Sequence, residues 1–161
     1  MLGKKGEAMK RLLGVFAGLV MICAFVPAPA IAAPTIVNGG GHGTVDGVTP
    51  FSQFGFEITR GPDGSVQGSF NCLMAGASQF PGFTLMAVRG QISAATIGET
   101  TATFDGAGMF QTGNQGKSPA TFHVVVTEGG PGVGTLQLTL LTPLLFPLPT
   151  ERVLDGQISI H

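Results

Sequence analysis

The C-terminal part of the chain, from Ala120 to His161, alternates apolar and polar residues with a period of two. Such alternation predicts β-strands, because successive side chains of a strand point to opposite faces, one toward a core and one toward water. Three strands are predicted here, separated by the turn Gly129–Gly132 and by the proline-rich segment from Thr142 to Thr150. Their predicted inner residues are Phe122, Val124, Val126, Leu136, Leu138, Leu140, Leu154, Ile158 and Ile160.

The same alternation continues upstream. The sequence Gly61-Pro62-Asp63-Gly64 predicts a tight turn that joins two strands in a hairpin, because Pro presets one dihedral and Gly accepts positive φ. The glycine-rich stretch from Pro34 to Gly47 predicts an extended strand with a bulge or a close backbone contact. Further inner residues are predicted at Phe54, Phe56, Ile58, Val66, Phe70, Cys72, Met74, Met86, Val88, Ile92, Ala102, Phe104 and Phe110.

About eight short strands joined by Gly and Pro turns predict an all-β fold, a single antiparallel β-barrel, with a two-sheet β-sandwich as the alternative. The barrel is preferred because closure removes the exposed edges that such apolar strands would otherwise present. No helix is predicted in this domain, which covers residues 33–161.

Residues 1–32 predict a helical signal peptide. Four basic residues precede an apolar run from Leu12 to Val26, which is too short for an ordinary membrane span. Small residues at Ala30 and Ala32 fit a signal-peptidase site, so cleavage is expected before Ala33. The basic residues are Lys4, Lys5, Lys10 and Arg11.

This signal predicts a secreted bacterial protein, located outside the cell, on its surface or in the periplasm, with no stable membrane span after cleavage. Translation starts at Met1 or at Met9, which itself begins a more ordinary signal. Residues 33–161 contain four basic and eight acidic residues, a net charge of −4. Nucleic-acid binding is therefore not expected, since its affinity comes mainly from cations that neutralise phosphates.

Few residues of the predicted domain carry chemistry. The domain has three histidines, His42, His123 and His161, and none of them stands in an HxH or HExxH spacing. Because a zinc site needs three or four converging ligands, neither a metal nor a cofactor is expected. The acids Glu57, Asp105 and Asp155 alternate with apolar residues, which places them on the solvent side. The same alternation places His123 and His161 on the solvent side. No catalytic residue is assigned.

Three residues are candidates for binding a ligand inside the barrel. Arg89 is a cation in mid-strand and, if its face points inward, it could orient an anionic ligand, although a surface position is the simpler interpretation. Cys72 and Met86 share the predicted inner face, and a buried structural thiol is the simpler interpretation of Cys72. All aromatic residues are Phe, with no Trp or Tyr, which disfavours carbohydrate binding.

The proline-rich segment is the candidate contact with another protein. It contains four large apolar residues that have to be shielded from water. The segment could fold as a lid over one end of the barrel, or it could contact another protein or gate an apolar cavity. The four residues are Leu144, Leu145, Phe146 and Leu148.

Several motifs together resemble the post-COAP domain type, a group of small exported bacterial β-domains of unknown function. They include Phe70–Gly76, Val88–Gly90, Phe104–Gly108, Val126–Leu136 and the ending Leu154–His161. The resemblance rests on turn glycines and strand patterning, and Ile160 stands where Val is usual. It implies the barrel fold and carries over no catalytic residue.

Three functions are weighed. The first is a non-catalytic binding or structural barrel with a protein partner. The second is a lipocalin-like barrel that binds a small apolar ligand in an open lumen. The third is an enzyme of the cyclase or hydrolase type, which would need acids or histidines converging in a cavity.

Overall fold

The computed structural model describes Ala33 and residues 35–75, 85–113 and 115–161. The predicted signal peptide and residues 76–84 lie outside this range. Among the described residues, no helix is long and apolar enough to span a membrane.

Among the described residues nine strands follow one another, and all pairings between them are antiparallel. Strands β1 to β6 pair in sequence order, β6 pairs with β7, and β9 pairs with both β7 and β1. These eight strands form a closed barrel, and the two-residue β8 pairs with β7 as an extra strand. The bounds are β1 Thr35–Thr44, β2 Pro50–Arg60, β3 Val66–Ala75, β4 Leu85–Ile97, β5 Thr101–Thr112, β6 Ser118–Thr127, β7 Thr135–Thr142, β8 Phe146–Pro147 and β9 Glu151–Ile160.

The predicted all-β fold and the antiparallel barrel of about eight strands are confirmed. The predicted hairpin turn is confirmed as well, with Gly64 at a φ of 83° and the Gly61 amide donating to the Ser65 carbonyl at 2.8 Å. One end of the barrel is called the mouth here. At the mouth, β1, β3, β5 and β7 end, and β2, β4, β6 and β9 begin.

The contact between β7 and β9 closes the barrel. Only two residue pairs join the strands themselves, Thr135 with Arg152 and Leu136 with Glu151. Flanking segments extend this seam in both directions. The Leu148 amide donates to the Leu138 carbonyl at 2.9 Å on one side, and the residues after β6 pair with β9 on the other.

Large phenylalanine rings fill the middle of the barrel. Phe104 lies 5.3 Å from Phe56 and 5.7 Å from Phe70 between ring centroids, and Phe70 lies 5.1 Å from Phe122. The four side chains are at most 6% exposed. Apolar rings thus occupy the space that a lipocalin-like lumen would need.

Inward-facing glycines make room for these rings. A Cβ at Gly90 would lie 2.7 Å from the Phe122 ring, and a Cβ at Gly39 would lie 2.5 Å from the Phe56 ring. The prediction that glycines of β1 mark close contacts is therefore confirmed. Because they have no side chain, rings of neighbouring strands fill the space inside β1.

One predicted inner position is wrong. The register between β1 and β9 shifts so that His42 pairs with Asp155 while Gly43 pairs with Val153, leaving Leu154 as the extra residue of a bulge. Val153 is consequently buried, at 1% exposure, and Leu154 is only partly buried. A bulge reverses the alternation on its two sides, which a strict period of two cannot anticipate.

Replacing Gly90 with Ala is expected to reduce the free energy of unfolding by about 1–3 kcal/mol, because the added methyl overpacks against Phe122 and the β5 backbone. Chemical unfolding followed by far-UV circular dichroism measures this change. Gly116→Ala is the control, since its Cβ would meet nothing within 4 Å, and its change should stay within about 0.5 kcal/mol. Equal stability of both variants would contradict the complementarity of rings and glycines.

Candidate functional site

The residues predicted to bind a ligand lie on two sides of the barrel wall. Cys72 and Met86 point inward and are 1% and 4% exposed. Arg89 lies on the outer face and is exposed, so it does not orient a ligand in the lumen. The physical reason is the unbroken alternation around it, which buries Val88 and turns Arg89 to solvent.

A buried polar cluster lies inside the barrel near the mouth. The Ser52 hydroxyl on β2 donates to Oε2 of Glu151 on β9, and the Cys72 thiol on β3 lies beside both groups. Glu151, Ser52 and Cys72 are 1%, 3% and 1% exposed. Of these three residues, only Cys72 has a buried position predicted from the sequence, and Ser52 and Glu151 have no predicted role.

Gly43 on β1 makes this cluster sterically feasible. Strand β1 lies between β9 and β2, so the Glu151 side chain must cross β1 to reach Ser52. A Cβ on Gly43 would overlap the Glu151 carboxyl group. Any larger residue at position 43 would thus compete with the carboxyl for the same volume.

Burial determines the protonation state of the cluster. It raises the pKa of the Glu151 carboxyl to about 7 from the usual 4.5, although the hydrogen bond from Ser52 opposes the rise. Burial, followed by the charge of Glu151, raises the pKa of the Cys72 thiol. The thiol therefore stays protonated and is a poor nucleophile, and the carboxyl is the cluster's proton-exchanging group.

The signal for Glu151 was hidden by the bulge. Strict alternation from Ile158 predicts that residue 151 faces solvent. The bulge at Leu154 shifts the alternation by one residue, so Glu151 faces the inside of the barrel. The dense glycines of β1 were the only local indication that something large approaches that strand.

The predicted solvent-side residues Asp105, Asp155 and His123 do lie on the outer wall, and His42 lies there as well. His123 Nδ1 lies 2.7 Å from Asp105 Oδ1, and His42 Nδ1 lies 2.9 Å from Asp155 Oδ1. The hydrogen bond from His42 lowers the pKa of Asp155. These solvent-screened pairs sit on different strands, β5 with β6 and β1 with β9. Within the described residues, no three such groups converge to hold a metal.

A small apolar pocket lies between the mouth and the proline-rich segment. Its volume is about 110 Å³. We call it the mouth pocket, and its lining consists of Met86, Phe110, Leu140, Pro143, Leu144 and Phe146. Met86 lines this pocket, which lies at the barrel end rather than in a central lumen, and its role in ligand binding stays a prediction.

The proline-rich segment divides into a packed part and an exposed part. Leu148 is 2% exposed and belongs to the core, so its assignment as a partner contact is corrected. Phe146 is partly buried and lines the mouth pocket. Leu144 and Leu145 are 67% and 69% exposed, and they remain free to contact a partner.

No protein-family model matches this chain, and no curated protein or solved structure matches it. The resemblance to the post-COAP domain type therefore stays a prediction.

The buried carboxyl predicts a specific pH dependence of stability. Because its pKa is higher in the folded than in the unfolded state, its stabilising contribution is complete below about pH 4.5, declines as the pH rises toward 7, and is constant above that. The decline amounts to about 3 kcal/mol. In Glu151→Gln this decline should vanish from unfolding free energies measured between pH 4 and 8.

Glu57→Gln is the matched control, since Glu57 is exposed and its substitution should leave the decline intact. Asp155 acts with the opposite sign and at lower pH, because its pKa is lowered in the folded protein. A Glu151→Gln protein that loses as much stability over this range as the parent would show that the carboxyl ionises normally.

Proposed function

We propose that this protein is an exported, non-catalytic binding domain that holds a small apolar group in the mouth pocket. The mouth pocket itself is the observation that carries this proposal, because it is a concave site of about 110 Å³ lined only by apolar residues. The rest of the barrel acts as a rigid frame, since its middle is filled by phenylalanine rings.

The size and lining of the mouth pocket define what it accepts. Apolar cavities of this order bind molecules such as benzene or xenon, so one ring or one branched aliphatic group fits. A protein partner could present such a group as a single anchoring side chain, with the exposed Leu144 and Leu145 packing around it. A free small apolar ligand is the alternative occupant of the same pocket.

A cyclase- or hydrolase-type enzyme is a second candidate, and Glu151 is the observation that favours it. A carboxyl with a pKa of about 7 suits proton transfer near neutral pH. Glu151 is only 1% exposed, however, so a substrate cannot reach its carboxyl group. One carboxyl oxygen also already accepts a hydrogen bond from Ser52. The non-catalytic function is therefore preferred.

Benzene provides a direct test of the mouth pocket. In protein labelled at its Met and Leu methyl groups, benzene should cause saturable shifts at Met86 and Leu140. Leu144→Ser should weaken binding about fivefold, because removing one apolar wall of the pocket costs about 1 kcal/mol. Leu145→Ser should leave the affinity unchanged, since Leu145 is equally exposed but does not line the pocket.

Three outcomes would count against the proposed binding site. They are the absence of saturable shifts, shifts spread evenly over the core methyl groups, and equal weakening by the two serine variants.

Export is a separate part of the proposal and has its own test. In a bacterial host, the full-length gene should yield a protein outside the cytoplasm whose mass corresponds to a chain starting at Ala33. Ala32→Leu should block this processing, because signal peptidase requires a small residue there, whereas Ala33→Ser should not. A cytoplasmic protein that retains residues 1–32 would contradict export.

A further inference from the structure

We propose a second binding site on the outer wall of the barrel, which takes a small amphiphile with an anionic headgroup and an aliphatic chain. The site is a groove of about 290 Å³ across β3, β4 and β5, close to the mouth. We call it the outer groove, and it is lined by Leu73, Leu85, Ala87, Arg89, Met109, Gln111 and Lys117.

The floor of the outer groove is apolar where the outside of a barrel is normally polar. Strand pairing places Leu73 beside Ala87, and Arg89 beside Met109. Met109 is 40% exposed, so part of its apolar side chain lies on this water-facing wall. One step further from the mouth, the same wall carries the exposed polar pair Ser69 and Gln91. The apolar surface is therefore a confined patch with a polar boundary.

Two cations complete the outer groove. Arg89 and Lys117 are two of the four basic residues in a domain with a net charge of −4. Among the described residues, neither cationic side chain forms a hydrogen bond or an ion pair, and the groove lining contains no acid. An anionic group placed between them would supply the missing counter-charge.

The apolar floor and the two cations together determine which class of ligand fits the outer groove. An apolar floor is of no use to a free phosphate, and a neutral apolar molecule would leave both cations unpaired. A volume of about 290 Å³ lies at the lower end of ordinary ligand sites and suits one aliphatic chain better than a two-chain lipid. A medium-chain carboxylate satisfies both features at once.

The outer groove and the mouth pocket are distinct sites. Met86 and Phe110 point into the barrel and line the mouth pocket, whereas their neighbours Leu85 and Met109 point outward and line the groove. The wall of β4 and β5 separates them, so a single small molecule cannot occupy both.

The absence of Trp and Tyr from the sequence allows a selective reporter. In Gln111→Trp the new indole is the only one in the protein, and it lines the outer groove while both cations and the apolar floor stay in place. Its fluorescence is followed while decanoate, decanol or decyltrimethylammonium is added below the micelle concentration. We expect saturable binding of decanoate, about tenfold weaker binding of decanol, and none of the cationic amphiphile.

Charge variants of the reporter protein test the headgroup contact. Arg89→Gln and Lys117→Gln should each weaken decanoate binding about fivefold, corresponding to about 1 kcal/mol for a partly exposed charge pair. Neither should change the affinity for decanol. Arg152→Gln is the matched control, because Arg152 is an exposed arginine of β9 outside the groove, and it should bind decanoate normally.

Several results would overturn the outer groove as an anion site. They are equal affinity for the three amphiphiles, and loss of decanoate binding in Arg152→Gln equal to that in Arg89→Gln. If Gln111→Trp fails to fold, amide shifts of Ala87 and Arg89 in the unsubstituted protein provide the readout. Decanoate shifts at Met86 and Leu140 methyls in place of these amides would assign it to the mouth pocket and reject the groove.

Discussion

Closure of the backbone hydrogen-bond network is the constraint on which the whole molecule depends. Each of the eight barrel strands pairs on both sides, and the last gap is bridged by a short contact between β7 and β9 that flanking segments extend. Because the eight described barrel strands leave no open edge between them, apolar strands can exist without pairing between molecules. Closure also fixes an inside and an outside, so every second side chain enters a bounded volume that has to be filled.

Volume complementarity then determines what the inside can contain. Rings such as Phe122 extend over inner glycines such as Gly90, which leaves the centre of the barrel packed. The missing side chain at Gly43 likewise leaves room for one carboxyl group, that of Glu151, whose pKa burial raises to about 7. The interior is thus specialised for packing, and its polar exception among the described residues is the cluster of Glu151, Ser52 and Cys72 near the mouth.

Because the centre of the barrel is filled, both proposed binding sites lie at its periphery. The concave apolar surfaces lie at the mouth, under the proline-rich segment, and on the outer wall beside Arg89. Both proposed sites are lined by strands β4 and β5, but by opposite faces of these strands. Because successive side chains of a strand point to opposite faces, adjacent residues line two sites with different proposed ligands. The mouth pocket suits an uncharged apolar group, and the outer groove suits an amphiphilic anion.

The amino-acid sequence by itself determined the strands, the hairpin turn after Arg60 and the side on which most residues lie, including the solvent side for Asp105 and His123. These features follow from alternation and turn chemistry, which are local properties of the chain. Only the tertiary structure decided that Leu154 forms a bulge, that Glu151 meets Ser52 and Cys72, and that Arg89 and Lys117 border one groove. The reason is physical, since register, cross-barrel contacts and shared grooves depend on residues far apart in sequence and are set only when the barrel closes.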